Sequence, residues 1–409
     1  MRILVAAYAC EPGRGSEPLV GWRWVHEIQS LGHDVWVMTR ANNQPVIERH
    51  EDSHGASRTQ FVYIDLPAPF KLLKKVPGGI YPYYYAWQIL ALLHAFKLHR
   101  RYRFERIHQL TFVSIRFPTL LGLLGVPLWV NVGGGERSPK QLRQPLGLKF
   151  WLREGLRDLL LYLHALDPLR ALGFTLAERI LTTTHESTDA LPFWVRKRCE
   201  VVPAIAGDGP APGFERDLES DTIELLYAGL HKDWKGLRIG LRALAVARRR
   251  SDRPFHLTIV GQGPDHHLWR AEVDGLGLSD AVTFVEWMPR EQLLEYYGRK
   301  HAFLYPSLHD SGGLVVREAL AAGLPVVCLA CGGPGLIVTS ACGWVQEVDG
   351  MSYQQILEGL AEGLLKLAAP DQVAAWSAGA RARAGAMTWT SLVRSVYASK
   401  AGSRAWDLR

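Results

Sequence analysis

The chain has 409 residues, of which 48% are hydrophobic and 21% charged, and carries a formal net charge of +7. A length well beyond the roughly 150 residues of one ordinary domain predicts two folded halves, and this composition leaves little room for long disordered tails. The positive charge suits an anionic partner, yet no zinc-ligand series, helix-turn-helix rhythm or aromatic RNA-binding pattern is present, so no nucleic-acid partner is expected.

The start, MRILVAAYAC, is a short apolar strand without a basic leader or a small-residue cleavage site, so no export is predicted and a cytoplasmic location is expected. Residues 2 to 8 read as a buried parallel strand. A glycine-containing loop (CEPGRGSEP), a helix ending at Gly32 and a second strand at VWVMTR follow, which is a βαβ opening. Further strands are predicted at FVYIDL, RIHQL, LWVNV and CEVVPAI. The segment GDGPAPGFERDLESD then replaces apolar periodicity with glycine, proline and acid, and reads as a linker.

Alternation restarts with IELLYAG, the helix LRIGLRALAVARRR, the strand HLTIVG, a helix after PDHHLW, the strand AVTFVEW, the helix REQLLEYY and the strand HAFLYPS. The expected fold class is α/β, with two Rossmann-like doubly wound domains facing a central cleft. The domain boundary is placed near residue 210. Residues 1–207 would form the first domain, joined by a C-terminal helix at about 388–409, and residues 208–387 the second. Five cysteines (Cys10, Cys199, Cys328, Cys331, Cys342) are an odd, scattered set that reads as reduced thiols. The lone C-x-x-C of Cys328 and Cys331 lies in an apolar, strand-like run and reads as core rather than as a metal clip; no metal is expected.

The most informative segment is LYPSLHDSGGLVVREALAAGLPVV, in which a strand ends at Pro306 and a glycine loop opens a helix. Amides around Ser311, Gly312 and Gly313, with Leu314 and Val315 at the positive helix end, suit an anion. Glu318, eight residues after Asp310, could accept from both hydroxyls of a ribose, and Asp310 could accept from hydroxyls of a sugar. Read alone, the pair is better explained with Glu318 as a solvated helix residue and Asp310 as an N-terminal cap; the surrounding motifs reverse that preference.

The ordered series LYAGL, WKG, LTIVGQGP, VTFVEWMP, acid-x7-Glu with ALAAGLPVV, and GGPG, from Leu226 to Gly335, resembles family 4 of the glycosyltransferases, a GT-B group. The resemblance implies a retaining, metal-independent transfer from a UDP- or GDP-sugar, without a cofactor. In it the leaving diphosphate helps deprotonate the acceptor hydroxyl by a front-face path. It further implies that Asp310 and Glu318 form the acidic pair, with Asp310 one methylene shorter than the usual glutamate, and that Lys235 neutralises the donor diphosphate. Gly229, His231, Lys232, Gly261 and Met288 would line the donor site. Leu230 stands where an arginine is usual, with His231 or Lys232 as compensation. Lys235 could also simply close a surface turn.

In the first half, Gly13 and Gly15 would let backbone approach the diphosphate or the acceptor, and Arg14 and Glu17 would face the cleft. The histidine usual in the family before the mid-domain crossover is replaced by NVGGGE, so Asn131, Gly134 and Glu136 become acceptor candidates. His108 at the end of RIHQL becomes a catalytic candidate, or else a histidine satisfied inside the sheet. Two segments, at 71–103 and 140–172, set aromatic and leucine residues beside lysine and arginine. They fit either peripheral attachment to an anionic inner membrane face, with a lipid-linked or other glycan acceptor, or helices packed internally.

Overall fold

A computed structural model describes residues 1–15, 17–54, 58–76, 78–112, 114–211, 213–214 and 216–398. The chain divides into two compact units. The first comprises Met1–Gly135, Leu159–Ala204 and the described part of the stretch that begins at Trp389; the second comprises Glu136–Asp158 and Ile205–Thr388. Positions 399–409, expected to join the first domain, lie outside the described residues.

The first unit is built on β1 (Arg2–Ala7), β2 (Asp34–Arg40), β3 (Gln60–Ile64), β4 (Arg106–Thr111), β5 (Leu128–Val132), β6 (Arg179–Thr182) and β7 (Cys199–Val201), in the spatial order β3-β2-β1-β4-β5-β6-β7. All pairings are parallel. That arrangement needs both faces covered by helices and explains the nearly continuous burial of β1 and β5. One face is closed by the helix Ile80–Tyr102, whose Tyr83, Tyr84, Trp87, Gln88, Ala91 and Ala95 are buried at helical spacing. The other face holds Glu17–Ser30 and the C-terminal helix Trp389–Ala398, which buries Trp389, Leu392, Val393 and Val396. Strand β6, RILT, was not among the strands expected from the sequence.

The second unit holds β8 (Ile223–Ala228), β9 (Phe255–Val260), β10 (Val282–Val285), β11 (Ala302–Tyr305), β12 (Val326–Leu329) and β13 (Gly343–Gln346), ordered β10-β9-β8-β11-β12-β13 and again parallel. Cys328 lies buried in β12, and Cys331 just after it precedes the helix Gly332–Ile337. In each sheet the winding reverses once, between β1 and β4 and between β8 and β11. Loops leaving the carboxyl ends of strands on either side of such a reversal splay apart, and ligands collect in the opening.

Two expectations need correction. Glu136–Asp158 was expected in the first half but belongs to the second unit. There Gln141 donates to Val348 O (2.8 Å), Arg242 to Pro145 O (3.0 Å), and the His309 ring lies 3.2 Å from the Glu154 carboxylate. The supposed linker, of which Pro212 and Glu215 lie outside the described residues, is pinned to the second unit. Ala211 N–H donates to Ala321 O (2.8 Å), and Arg216 donates to Gly323 O (3.1 Å), Ser377 Oγ (2.9 Å) and Tyr297 O (3.1 Å). Low apolar content reported a lack of regular structure, not a lack of attachment.

Candidate active site

The site is assembled at the reversal of the second sheet. After β8 the chain runs through Gly229 and a single 3₁₀ turn, Asp233–Lys235, closed by Gly236 at φ 70°. A Cβ on Gly236 would stand 1.8 Å from Pro306 O, so only glycine lets this turn press against the loop that leaves β11. The contact puts Lys235 Nζ 2.6 Å from Asp310 Oδ2 and 2.5 Å from the Tyr305 hydroxyl. Tyr305 in turn donates to Asp310 Oδ2 at 2.7 Å.

The other oxygen of Asp310 accepts from the amides of Gly312 (3.2 Å) and Gly313 (3.3 Å). The cap-like role expected of Asp310 is thus present, and the same side chain carries an ion pair with Lys235 that was not expected. The helix Leu314–Ala321 begins immediately afterwards, with Gly313 at φ 59° as its N-cap. Because Asp310 already occupies the amides of Gly312 and Gly313, the first-turn amides of Leu314 and Val315 are the ones a helix start leaves for an incoming anion. GGPG has a mechanical task here: Gly333 N–H donates to Asp310 O (2.6 Å), and a Cβ at Gly332 would meet that same oxygen at 2.5 Å.

Burial opposes ionisation of Asp310, but the Lys235 charge and its hydrogen bond, with that of Tyr305, hold the carboxyl below its usual range. Burial pushes Tyr305 well above the usual phenol range, so it stays a donor. An ammonium has three donors, and Lys235 spends two on Asp310 and Tyr305, leaving one for a ligand oxygen. Glu318 sits one helical face further on, where burial raises its carboxyl while Arg290, 3.1 Å away, opposes the rise. Arg317, beside it, is buried and donates to Ala384 O (3.0 Å) and Met387 O (3.3 Å), which fixes the helix that carries Glu318.

Other expected residues divide. Glu136, expected in the first domain as an acceptor residue, accepts from Ser311 Oγ (2.7 Å) and braces the glycine loop from within the second unit. His231 cannot replace the missing arginine: it is fully buried, stacked on His266 and hydrogen-bonded to it through Nδ1 (2.8 Å), and burial lowers its pKa to about 4. Lys232 is half-buried and in no ion pair among the described residues. Gly229 and Gly261 pack on each other, since a Cβ at Gly261 would lie 2.1 Å from Gly229 O. Met288 is buried, whereas its neighbour Trp287 is 75% exposed.

In the first unit, His108 is not available for catalysis. Its Nε2 donates to Asn131 Oδ1 (2.9 Å), its Nδ1 accepts from the Tyr397 hydroxyl (3.0 Å), and with no exposed surface its pKa falls to about 3 through burial. Asn131 is spent on the same bond. Glu17 accepts from the Phe112 amide, and Arg14 pairs with the buried Glu11 (3.2 Å), so neither charge stands free. Gly13 and Gly15 are exposed, and Gly134 takes φ 84° next to Ser114. The sequence reading missed Tyr305, Arg290 and Trp287. The strand-ending Tyr-Pro of HAFLYPS was the only available signal for Tyr305. Among the described residues no trio of His, Cys, Asp or Glu is close enough to hold a metal ion.

Known proteins resemble the chain in sequence and in fold. Residues 214–375 match the family described as Glycosyl transferases group 1. A D-inositol 3-phosphate glycosyltransferase of Streptomyces avermitilis is 29% identical over 46% of this chain and 45% of its own length. The chain spans less than half the length of the first curated relatives it matches. The solved apo lipopolysaccharide outer core galactosyltransferase WaaB superposes with a TM-score of 0.63 at 12% identity, covering 97% of this chain and 99% of that one. Anabaena Alr3699/HepE in complex with UDP-glucose gives 0.55 at 15% identity, covering 98% and 100%. The chain therefore has the two-domain α/β GT-B fold, and the stretch similar to the Glycosyl transferases group 1 family, residues 214–375, carries Lys235, Asp310 and Glu318.

Proposed function

We propose that this protein is a retaining glycosyltransferase of family 4 that uses a nucleotide-sugar donor, a UDP- or GDP-sugar, without a metal ion. The observation that carries the reading is the Lys235–Asp310–Tyr305 cluster beside the first turn of Leu314–Ala321, at the winding reversal of the second sheet. A cation with one uncommitted donor and a helix N-terminus stabilise charge that grows on a departing diphosphate, a contribution of roughly 3 kcal/mol per well-placed donor. Glu318, four residues into the helix, takes the ribose hydroxyls, and Trp287 is an exposed aromatic face for the base. The oxygen leaving with the diphosphate accepts the acceptor's proton, so no protein nucleophile is required.

The acceptor is a lipid-linked or other glycan, taken up at the cytoplasmic membrane face if it is lipid-linked. Support comes from the exposed apolar row Leu159, Leu163, Leu166, Leu169 and Leu172 with Phe193 and Trp194 beside Arg196, Lys197 and Arg198. No single described helix is long and apolar enough to cross a membrane. A panel of nucleotide sugars, read by melting temperature and slow hydrolysis, tests the donor assignment. One UDP- or GDP-sugar should stabilise the protein and be hydrolysed in chelator, while NAD should do neither. Stabilisation by NAD alone, or turnover abolished by chelator and restored by a divalent ion, refutes the reading.

A further inference from the structure

The carboxyl edge of the first sheet holds a second charged cluster, which no expectation covered. Three adjacent strands end there: Tyr8 follows β1, Arg40 closes β2 and Asp65 follows β3. Arg40 Nε donates to Tyr8 O (2.9 Å) and its guanidinium lies 4.5 Å from the Tyr8 ring centre. The stretch Ala68–Lys75 brings Lys74 Nζ to 3.8 Å from the Tyr83 ring centre and 5.9 Å from that of Tyr8. Asp65 is spoken for: Tyr83 donates its hydroxyl to one oxygen and Lys71 lies 3.3 Å from the other.

Arg40 and Lys74 are therefore left without a carboxylate in ion-pair reach among the described residues. Among the described residues the buried Tyr8 hydroxyl has no well-formed hydrogen bond, and the Arg40 guanidinium beside it acts on it electrostatically. Burial holds Lys74 below the usual lysine range, with Asp65 opposing the shift and the neighbouring Arg40 and Lys71 charges adding to it. Arg40, Lys71 and Lys74 against Asp65 and Glu17 leave the cluster net positive, which suits a phosphoryl anion. The aromatic floor of Tyr8 and Tyr83 and the outward Phe70, Leu72 and Val76 put apolar surface beside this charge.

We propose that Arg40, Lys74 and the Tyr8 hydroxyl form a subsite for a phosphoryl group, and that it holds the phosphorylated part of the acceptor. Its role as an acceptor site rests on the glycosyltransferase reading; its affinity for phosphate does not. Phosphoryl groups could come from a lipid-linked carrier or from a soluble sugar phosphate, and both sources present the same dianion to these side chains.

The test titrates the full-length protein with farnesyl monophosphate and with glucose 6-phosphate, using glucose as the neutral control. At least one phosphate probe should bind with one-to-one stoichiometry and lose roughly tenfold to a hundredfold in affinity in Arg40→Gln and Lys74→Gln. Lys74→Arg should recover most of the loss, and Lys235→Ala should leave the probe's affinity unchanged, which separates this subsite from the donor site. Tighter binding of farnesyl monophosphate assigns the lipid source, and tighter binding of glucose 6-phosphate the soluble one. Failure of both probes to bind the parent protein overturns the proposal. So does binding that survives Lys74→Gln in protein with the parent's melting temperature. Should Lys74→Gln not fold, Arg40→Lys, which keeps the charge but loses the planar fork, gives the same reading.

Discussion

The carboxyl edges of the two sheets handle charge in opposite ways. Near the winding reversal of the second unit the charged groups of the candidate site are paired, Lys235 with Asp310, Arg290 with Glu318 and Arg238 with Asp233, while Lys232 is not, among the described residues. In the first unit His108 is sealed and Lys71 pairs with Asp65, but Arg40 and Lys74 face aromatic rings with no carboxylate in ion-pair reach among the described residues. A prepaired cluster is held in one geometry and needs little reorganisation when charge develops, which suits a transition state. An unpaired one exerts its attraction on what arrives, which suits ground-state binding.

Mutations can break this contrast, and the largest effect is expected at Asp310. Asp310→Ala strips the half-buried Lys235 of its counter-charge and frees the loop amides; transfer should fall by at least about a thousandfold, with a stability loss of roughly 3 kcal/mol read by urea unfolding. A variant with parental turnover would remove Asp310 from the site. Lys235→Ala should lower transfer by about a hundredfold and weaken nucleoside diphosphate binding, while nucleoside binding persists; calorimetry with both ligands checks the split.

His108→Ala should act only on stability, by roughly 2 to 4 kcal/mol, because it opens a cavity and strands Tyr397 and Asn131. Turnover per folded molecule should not change, and a fall in that quantity would return His108 to the chemistry. His108 also predicts a pH effect. Its pKa is about 3 in the fold against about 6.5 unfolded, so the unfolded chain binds the extra proton. Its stabilising share is complete above pH 6.5 and declines as pH falls towards 3. The slope of stability against pH across that window should flatten in the alanine variant. Asp310, whose carboxyl is held below its usual range, loses its share only as pH falls beneath the unfolded value of about 3.9.

The smallest effect is expected at Glu318, whose raised carboxyl means that burial already penalises its charge. Glu318→Gln should be neutral or slightly stabilising at pH 7, yet weaken nucleotide binding about tenfold. Undiminished nucleotide affinity would sink the ribose role while leaving Lys235 and Asp310 in place.

The local repeat of apolar strand, turn and amphipathic helix was enough to predict two doubly wound halves, because parallel strands buried on both faces must be continuously apolar and their crossovers must be helical. It failed at β6 and β13, which no strand expectation covered, and at Glu136–Asp158, whose attachment depends on partners about a hundred to two hundred residues away, such as Arg242 and Val348. The same division runs through the site. Asp310, Gly313 and Glu318 were legible because a glycine loop opening a helix is a local signal with a local cause. Tyr305, Arg290 and the Arg40–Lys74 cluster were not, since nothing near them in the chain marks their partners.

Composition and spacing by themselves determined the sheets, their carboxyl-edge loops and the helix that starts after Gly313. Only the tertiary structure decided which charges are paired and which are left over. It sealed His108, moved Glu136 to the glycine loop and left Lys74 facing aromatic rings without a carboxylate. The physical reason is range: backbone periodicity is fixed by neighbours a few residues apart, whereas the ionisation and availability of a side chain depend on every group that folding brings within a few ångströms.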